Sequence, residues 1–313
     1  MAGSHSLRIA FLGNDEWSVP SLEALAGSAH DLTVVVTRGP RPARRGGALR
    51  PTPVAAAAAL LRVPVAEVET VRSGPGFERL EAPAPDVLVV VAYGELLPPA
   101  VLGLPKIAPV NLHFSLLPRL RGASPVQTAL LLGLDTTGVT TIWMDEGLDT
   151  GPILHRREEP IRPDDDAGSL GSRLARMGGE VLVETVDGLA RGTVSPVPQD
   201  HSQATFAPKI GSEDRRLDWS KPAPALANLV RALSPDPATV TTFRGEPLKV
   251  LRAEAVGGGG EPGVVVNVAK DGFVVGTGEG RFRPLEVAPS GRKRMSAEEF
   301  VRGFRPVAGE RLG

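Results

Sequence analysis

The 313-residue chain contains no cysteine. That excludes thiolate nucleophiles, disulfides and cysteine-ligated zinc together. Histidine is scarce, at five residues. No apolar run reaches the ~18 residues of a membrane-spanning helix. The polar start, Met1 to Ser6, lacks the basic-then-apolar pattern of a secretion signal. A cytoplasmic protein without membrane association is expected. An excess of one charge sign is also missing, since 35 basic and 36 acidic residues leave a net charge of -1. A polyanionic partner must therefore be argued from local charge. There is no Gly-x-Ser-x-Gly elbow, no His-Glu-x-x-His and no P-loop.

What is present is an ordinary globular balance, 42% apolar and 23% charged, in a chain long enough for two domains. Leu7 to Gly13, Leu32 to Thr37 and Val87 to Ala92 are continuous apolar runs, and Val139 to Met144 reads as a further strand. Between them Ser18 to Ala26, Pro53 to Leu61 and Pro125 to Gly133 read as helices, and Leu170 to Leu189 as a long closing helix. Continuous strands alternating with helices predict a mostly parallel sheet covered on both faces. The fold class expected is α/β, with a doubly wound, Rossmann-like N-terminal domain over residues 1–192. Residues 193–212 are polar and aperiodic and read as a linker. Residues 213–313 hold one amphipathic helix, Ala225 to Leu233, then five short strands, with Asp271-Gly272 as a hairpin turn. This predicts a small, OB-like β-barrel. Gly276 to Gly280 has the look of a phosphate loop, but it falls between strands and reads as a hairpin.

Four of the histidines carry little chemistry. His5 and His201 lie in polar stretches, and His30 and His155 are expected to be solvated. His113 differs, because the strand holding it also carries Asn111, and strand periodicity of two places both side chains on one face. Strand ends are where ligands bind in open parallel sheets. A hydrogen-bonded structural histidine remains an equal reading of this segment alone. The second cluster, Met144 to Pro152, has Asp145, Glu146 and Asp149 interleaved with Gly147 and Gly151. Alone it could be an ordinary acidic turn. Convergence of Asn111, His113 and one of these aspartates would suit acyl transfer to an amine. The histidine would move protons, the carboxylate would orient the ring and favour its charged form, and the Asn amide would donate to the developing oxyanion.

Local charge adds two patches. Arg38, Arg41, Arg44, Arg45 and Arg50 cluster without an acidic residue in a Pro/Gly-rich stretch after a strand. Arg281, Arg283, Arg292, Lys293 and Arg294 lie in the barrel region. Phosphate binding is one reading, simple solvation the other.

At these residues the sequence resembles the folate-dependent formyltransferase family. Asn111 to His113 with Ser115 to Gln127 is similar to its first signature, and Gly147 to Gly151 to its second. The resemblance implies catalytic roles for Asn111, His113 and Asp149. It implies a folate site along Ser115, Leu116, Leu117 and Pro118, with the pterin against the backbone near Val90, Ala92 and Gly94. Among family members acting on glycinamide ribonucleotide, amino sugars or charged tRNA, three features favour the tRNA branch: the basic loop Thr37 to Leu49, the join Ala204 to Ser220, and the barrel segments Gly276 to Gly280 and Pro289 to Ser296. The implied donor is 10-formyltetrahydrofolate, with no metal. The implied acceptor is initiator methionyl-tRNA, gripped by Arg41, Arg44, Arg45, Arg50, Lys209, Arg292 and Lys293, with the enzyme acting as a monomer. Rival readings are an amino-sugar nucleotide formyltransferase and a non-catalytic RNA-binding protein. The sequence departs from the family's pattern at Asn14-Asp15, Trp17, Gly47, Ala48 and Asp236.

Overall fold

The computed structural model describes residues 6–42 and 49–313. Arg44 and Arg45 therefore lie outside the described residues. Contacts divide the chain into two units. The first takes the described residues up to Pro125, with Thr136–Pro160 and Gly171–Ala207. The second takes Val126–Asp135, Ile161–Leu170 and Pro208–Gly313.

In the first unit β1 (Arg8–Gly13) leads to α1 (Val19–Ala26) and β2 (Asp31–Arg38). Two short strands, β3 (Arg41–Pro42) and β4 (Leu49–Arg50), then pair antiparallel. Helix α2 (Pro53–Leu61) is started by Thr52, whose hydroxyl accepts the Ala55 N–H at 3.0 Å, and by Pro53 in the first turn. Next come β5 (Val65–Val68), α3 (Gly74–Glu81), β6 (Val87–Val91), α4 (Pro99–Leu102) and β7 (Ala108–His113), while α5 (Pro125–Leu131) belongs, after its first residue, to the second unit. Then β8 (Thr136–Trp143), β9 (Ile153–Pro160) and the long α6 (Ala167–Arg191) follow.

The sheet order is β5-β2-β1-β6-β7-β8-β9. The first five strands are parallel, and β8 and β9 run antiparallel. Every residue of β6 is buried, as a strand covered on both faces requires. Leu88 and Val90 pack with Ala10, Leu12, Val34 and Val36 under α3 and α4. On the other face α6 approaches closely through Gly178 and Gly179. A Cβ at Gly178 would lie 2.6 Å from a Leu112 methyl, and one at Gly179 would lie 2.9 Å from the Pro20 carbonyl. The strand order reverses between β1 and β6, so their C-terminal ends flank a crevice.

Two expectations are corrected in this unit. His30 is 7% exposed, accepts the Leu7 N–H at Nδ1 (3.2 Å) and places Nε2 3.1 Å from Asp187. His155 is half-buried on β9, with Nδ1 3.0 Å from the Thr185 hydroxyl. Neither is solvated, because α6 supplies a partner far away in sequence. The segment read as a linker also carries structure. Residues 201–203 form a 3-10 turn, and Val197 pairs with Ile153.

In the second unit α7 (Ala223–Leu233) precedes β10 (Thr239–Phe243), β11 (Glu246–Val256), β12 (Val265–Ala269), β13 (Gly272–Gly276), β14 (Arg281–Pro289), β15 (Met295–Ser296) and α8 (Ala297–Phe304). The antiparallel order is β10-β11-β14-β13-β12, with β15 on β14. Leu312 and Val265 make main-chain bonds across Gly263 and Glu310 on the β12 side, while the Gly313 N–H donates to Thr242 on β10. The C-terminal segment thus bonds to strands at both edges of the sheet, as the expected barrel would require. Its core holds Trp219 edge-on to Phe282 (5.4 Å), and Phe300 between Phe243 (5.2 Å) and Phe273 (5.4 Å). The β12–β13 turn falls on Lys270 and Asp271, because Ala269 pairs with Gly272. That is one residue earlier than the Asp-Gly signal indicated. Residues 277–280 do connect two paired strands. Among the described residues no helix is long and apolar enough to cross a membrane.

Candidate active site

Asn111 and His113 end β7, and both face the side on which Val90 lies, since Val90 is the register partner of Asn111. The Asn111 side chain is half-buried, and its amide has no hydrogen bond among the described residues. His113 is 6% exposed. Its Nε2 lies 2.8 Å from the Leu120 carbonyl. A carbonyl only accepts, so Nε2 carries the hydrogen and Nδ1 is left to exchange a proton. Nδ1 faces Asp149 Oδ2 at 3.6 Å, longer than a direct hydrogen bond. The structure thus sets Asp149 against His113 from a loop 36 residues further along the chain, with Asn111 on the same face of β7.

Asp149 is held in place by backbone. Its Oδ2 accepts the Gly122 N–H at 2.8 Å, and its own φ is 55°. A left-handed aspartate is uncommon and persists only where its surroundings dictate it. Gln199 does so here: its Nε2 donates to the Asp149 carbonyl (2.9 Å) and the Gly151 carbonyl (2.7 Å). Its Oε1 accepts from Arg121 Nη2 (2.6 Å) and Nε (3.3 Å), and Arg121 Nη2 also donates to His201 Nδ1 (3.0 Å). Residues 205–207 pair with 121 through Arg121 N to Thr205 O (2.9 Å) and Ala207 N to Arg121 O (2.7 Å). Gly122 suits this close pairing, having φ 118° and the Ala207 carbonyl 2.7 Å from where a Cβ would stand. Sequence reasoning missed both Arg121 and Gln199. Arg121 lies inside a signature but had no role assigned, and nothing local marks Gln199.

The crevice between β1 and β6 is laced by Asn14. Its Nδ2 donates to the Tyr93 carbonyl, and its Oδ1 accepts from the Arg38 N–H (2.9 Å) and the Thr37 hydroxyl (3.1 Å). Arg38 Nη2 donates to the Gly94 carbonyl (3.1 Å). Three strand-end loops are therefore tied where a ligand would lie. Beside them, burial outweighs the hydrogen bonds from Ser18 and Trp17 and raises the Asp15 carboxyl. Tyr93 is pushed up to about 12, first by burial and then by the nearby charge of Glu95, although no hydrogen bond of ordinary geometry reaches its hydroxyl.

The expected folate residues fall into two groups. Val90 is buried in the strand, Ala92 is half-buried at φ 44°, and Gly94 is exposed at φ 74°. These flank the crevice. Ser115 is buried and donates to the Arg119 carbonyl at 2.6 Å, and Leu117 is fully buried with its N–H on Thr140 Oγ1 (3.2 Å). Leu116 and Pro118 are half-buried, Leu116 lying over Gly138. Apolar half-buried surface beside strand-end loops, with an Asn amide left unbonded among the described residues, is the mix of apolar lining and few polar groups that the expected folate requires. Among the described residues no group of three or more His, Asp or Glu side chains could hold a metal ion.

The basic residues are dispersed. Arg50 is exposed on β4, next to the undescribed 43–48, and Arg41 pairs with it through the backbone. Lys209, Arg292 and Lys293 are exposed in the second unit. Arg294 is paired with Glu286 (3.0 Å), and Arg283 with Glu254 and Asp271. Arg292 and Lys293 have no ion-pair partner among the described residues.

Residues 7–186 match the family model described as formyl transferase, and residues 209–305 match the formyl transferase C-terminal domain. The chain is 42% identical to a methionyl-tRNA formyltransferase of Acidithiobacillus ferrooxidans over 308 residues, covering 98% of both chains. It is 41% identical to one from Geobacter sulfurreducens, covering 100% of this chain and 98% of that one. Among solved structures, an N-formyltransferase from Helicobacter canadensis in complex with folinic acid and dTDP-3-aminofucose aligns with a TM-score of 0.66 at 16% identity, covering 89% of this chain and 98% of that one. HypX from Aquifex aeolicus in complex with tetrahydrofolic acid aligns with a TM-score of 0.63 at 18% identity, covering 98% of this chain and 49% of that one. These two show a shared fold.

Proposed function

The chain belongs to the formyl transferase family, and from that premise we infer that it moves a formyl group from 10-formyltetrahydrofolate to the α-amino group of methionyl initiator tRNA. The observation that carries this reading is the match to methionyl-tRNA formyltransferases across both units, 98% of the chain at 42% identity. That identity, held along nearly the whole chain, favours a tRNA acceptor over a nucleotide sugar.

In the proposed mechanism Asn111, His113 and Asp149 act together. Bound 10-formyltetrahydrofolate supplies the formyl carbon as the electrophile. The free Asn111 amide donates to the formyl oxygen as negative charge develops there. His113 Nδ1 takes the proton that the methionyl amine releases as its new N–C bond forms. It returns that proton to the folate nitrogen as the old C–N bond breaks. The Asp149 carboxylate stabilises the imidazolium in between. The Leu120 carbonyl keeps the other ring nitrogen protonated, so only Nδ1 cycles. Val90, Ala92, Gly94, Leu116 and Pro118 form the folate side of the site, with Ser115 and Leu117 supporting them from within. Exposed Arg50, Lys209, Arg292 and Lys293, with Arg41, Arg44 and Arg45, supply positive charge for tRNA phosphates. The trio and the residues that hold it lie in one unit of one chain, which supports a monomeric enzyme, and the proposed tRNA acceptor is what supports a cytoplasmic one.

The test is a single-turnover assay with 10-formyltetrahydrofolate and methionyl initiator tRNA, run beside His113→Ala. Formylmethionyl-tRNA made by the wild type and lost in the variant is expected. No product from tRNA, with formylation of an amino-sugar nucleotide instead, would replace the acceptor and leave the donor site standing.

A further inference from the structure

Leu120, Arg121 and Gly122 are consecutive, and the two flanking residues orient the two titratable members of the trio. Leu120 offers its carbonyl to His113 Nε2, and Gly122 offers its N–H to Asp149 Oδ2. Arg121 stands between them with its backbone bonded to 205 and 207 and its side chain, 4% exposed, on Gln199. Gln199, 6% exposed, spans from that guanidinium to the carbonyls on either side of Thr150. Its amide can sit only one way. The guanidinium donates and never accepts, so it takes Oε1, and the two carbonyls accept and never donate, so they take Nε2. A flipped amide would set donor against donor and acceptor against acceptor.

From this geometry we propose that Arg121 and Gln199 are positioning residues for formyl transfer: together they set the Asp149 carboxylate against His113 Nδ1 without touching either reactant. The proposal rests on the assignment of Asn111, His113 and Asp149 above. Gln199 holds the Asp149 backbone in its left-handed conformation, and Arg121 fixes both the Gln199 amide and the 120–122 segment. The separation of 3.6 Å between Nδ1 and Oδ2 is set from both sides by this clamp. A loop free to relax would swing the carboxylate away from the ring, and errors of about 1 Å in such a placement cost about 10²-fold in rate. The 199–207 segment is thereby part of the active site's frame.

Gln199→Glu is the informative variant, because it keeps the shape and the acceptor for Arg121 but removes both donations to the 149 and 151 carbonyls. The expected result is a single-turnover rate lower by up to about 10²-fold. Affinity for 10-formyltetrahydrofolate and KM for tRNA should stay within about twofold, and the pH profile of kcat/KM should shift. Arg121→Lys, which keeps the charge but not the fork, should lose part of the same rate. Combining Gln199→Glu with Asp149→Asn should add less than about threefold to the loss from Asp149→Asn alone, since both act through one carboxylate. Fully multiplying losses, or a fall in Tm together with lost folate binding in both Gln199→Glu and Arg121→Lys, would overturn the proposal and leave a structural role. Wild-type rate in Gln199→Glu beside an impaired Asp149→Asn would overturn the positioning role alone. Wild-type rate in Asp149→Asn would overturn the trio itself, and the clamp's role with it.

Discussion

Replacing Asp149 with Asn isolates one quantity, the charge facing His113. Asn is nearly isosteric and is among the non-glycine residues that best tolerate the left-handed backbone, φ 55°. Its side-chain oxygen can still accept the Gly122 N–H, so the loop should keep its shape. What disappears is the attraction between a carboxylate and the imidazolium that forms 3.6 Å away. At an effective dielectric of about 20 that attraction is about 4–5 kcal/mol, which corresponds to a factor of about 10³ in rate. The Asp149 side chain is 15% exposed and that of His113 7%, so solvent screens part of it. The expected loss is therefore about 10²- to 10³-fold in the single-turnover rate. Rapid-quench formylation of methionyl initiator tRNA at saturating folate measures it directly, and folate binding by equilibrium dialysis should be unchanged. A rate within about threefold of wild type, with folate binding intact, would refute charge stabilisation of His113 as a source of catalysis.

Other perturbations test different parts of the molecule. Tyr93 is pushed up to about 12 from an unfolded value near 10. Ionisation therefore favours the unfolded chain, and the Tyr93 contribution to stability is constant below about pH 10 and falls by about 2–3 kcal/mol as pH rises to about 12. Tyr93→Phe should flatten this fall, and identical urea-unfolding curves for both proteins at pH 9 and 11.5 would contradict it. The Arg244 hydrogen bond lowers the Glu310 carboxyl, so its stabilisation is full above the unfolded value of about 4.5 and fades as pH drops through the lower folded value. Arg244→Ala should thus lower Tm more at pH 7 than at pH 3. Deleting 310–313 removes the main-chain bonds that join the barrel edges at Gly263, Val265 and Thr242, and a drop of several degrees in Tm is expected by calorimetry. Arg292→Ala with Lys293→Ala should weaken tRNA binding and reduce its log-log salt slope by roughly one to two, without altering folate affinity.

The juxtaposition of Asn111 and His113 on β7 was legible because strand periodicity is a local property. Asn111 and His113 are two residues apart, and a strand places such residues on one face whatever it packs against. The parallel sheet was legible for a similar reason, since runs such as Val87–Val91 are apolar at every position only when both faces are covered. The barrel strands showed through their alternation. Other features depended on partners that no local pattern contains. Strand β9 at the sheet edge alternates exposed and half-buried residues that are mostly charged on both sides, so no apolar run marks it. His30 and His155 looked solvated until α6 brought Asp187 and Thr185 against them. Gln199 sits 78 residues from Arg121 and 50 from Asp149, in a stretch whose composition resembles a linker. Composition and period report how one segment meets solvent. Which donor meets which acceptor is decided only when chain closure brings distant backbone together, and that closure sets the geometry of the site.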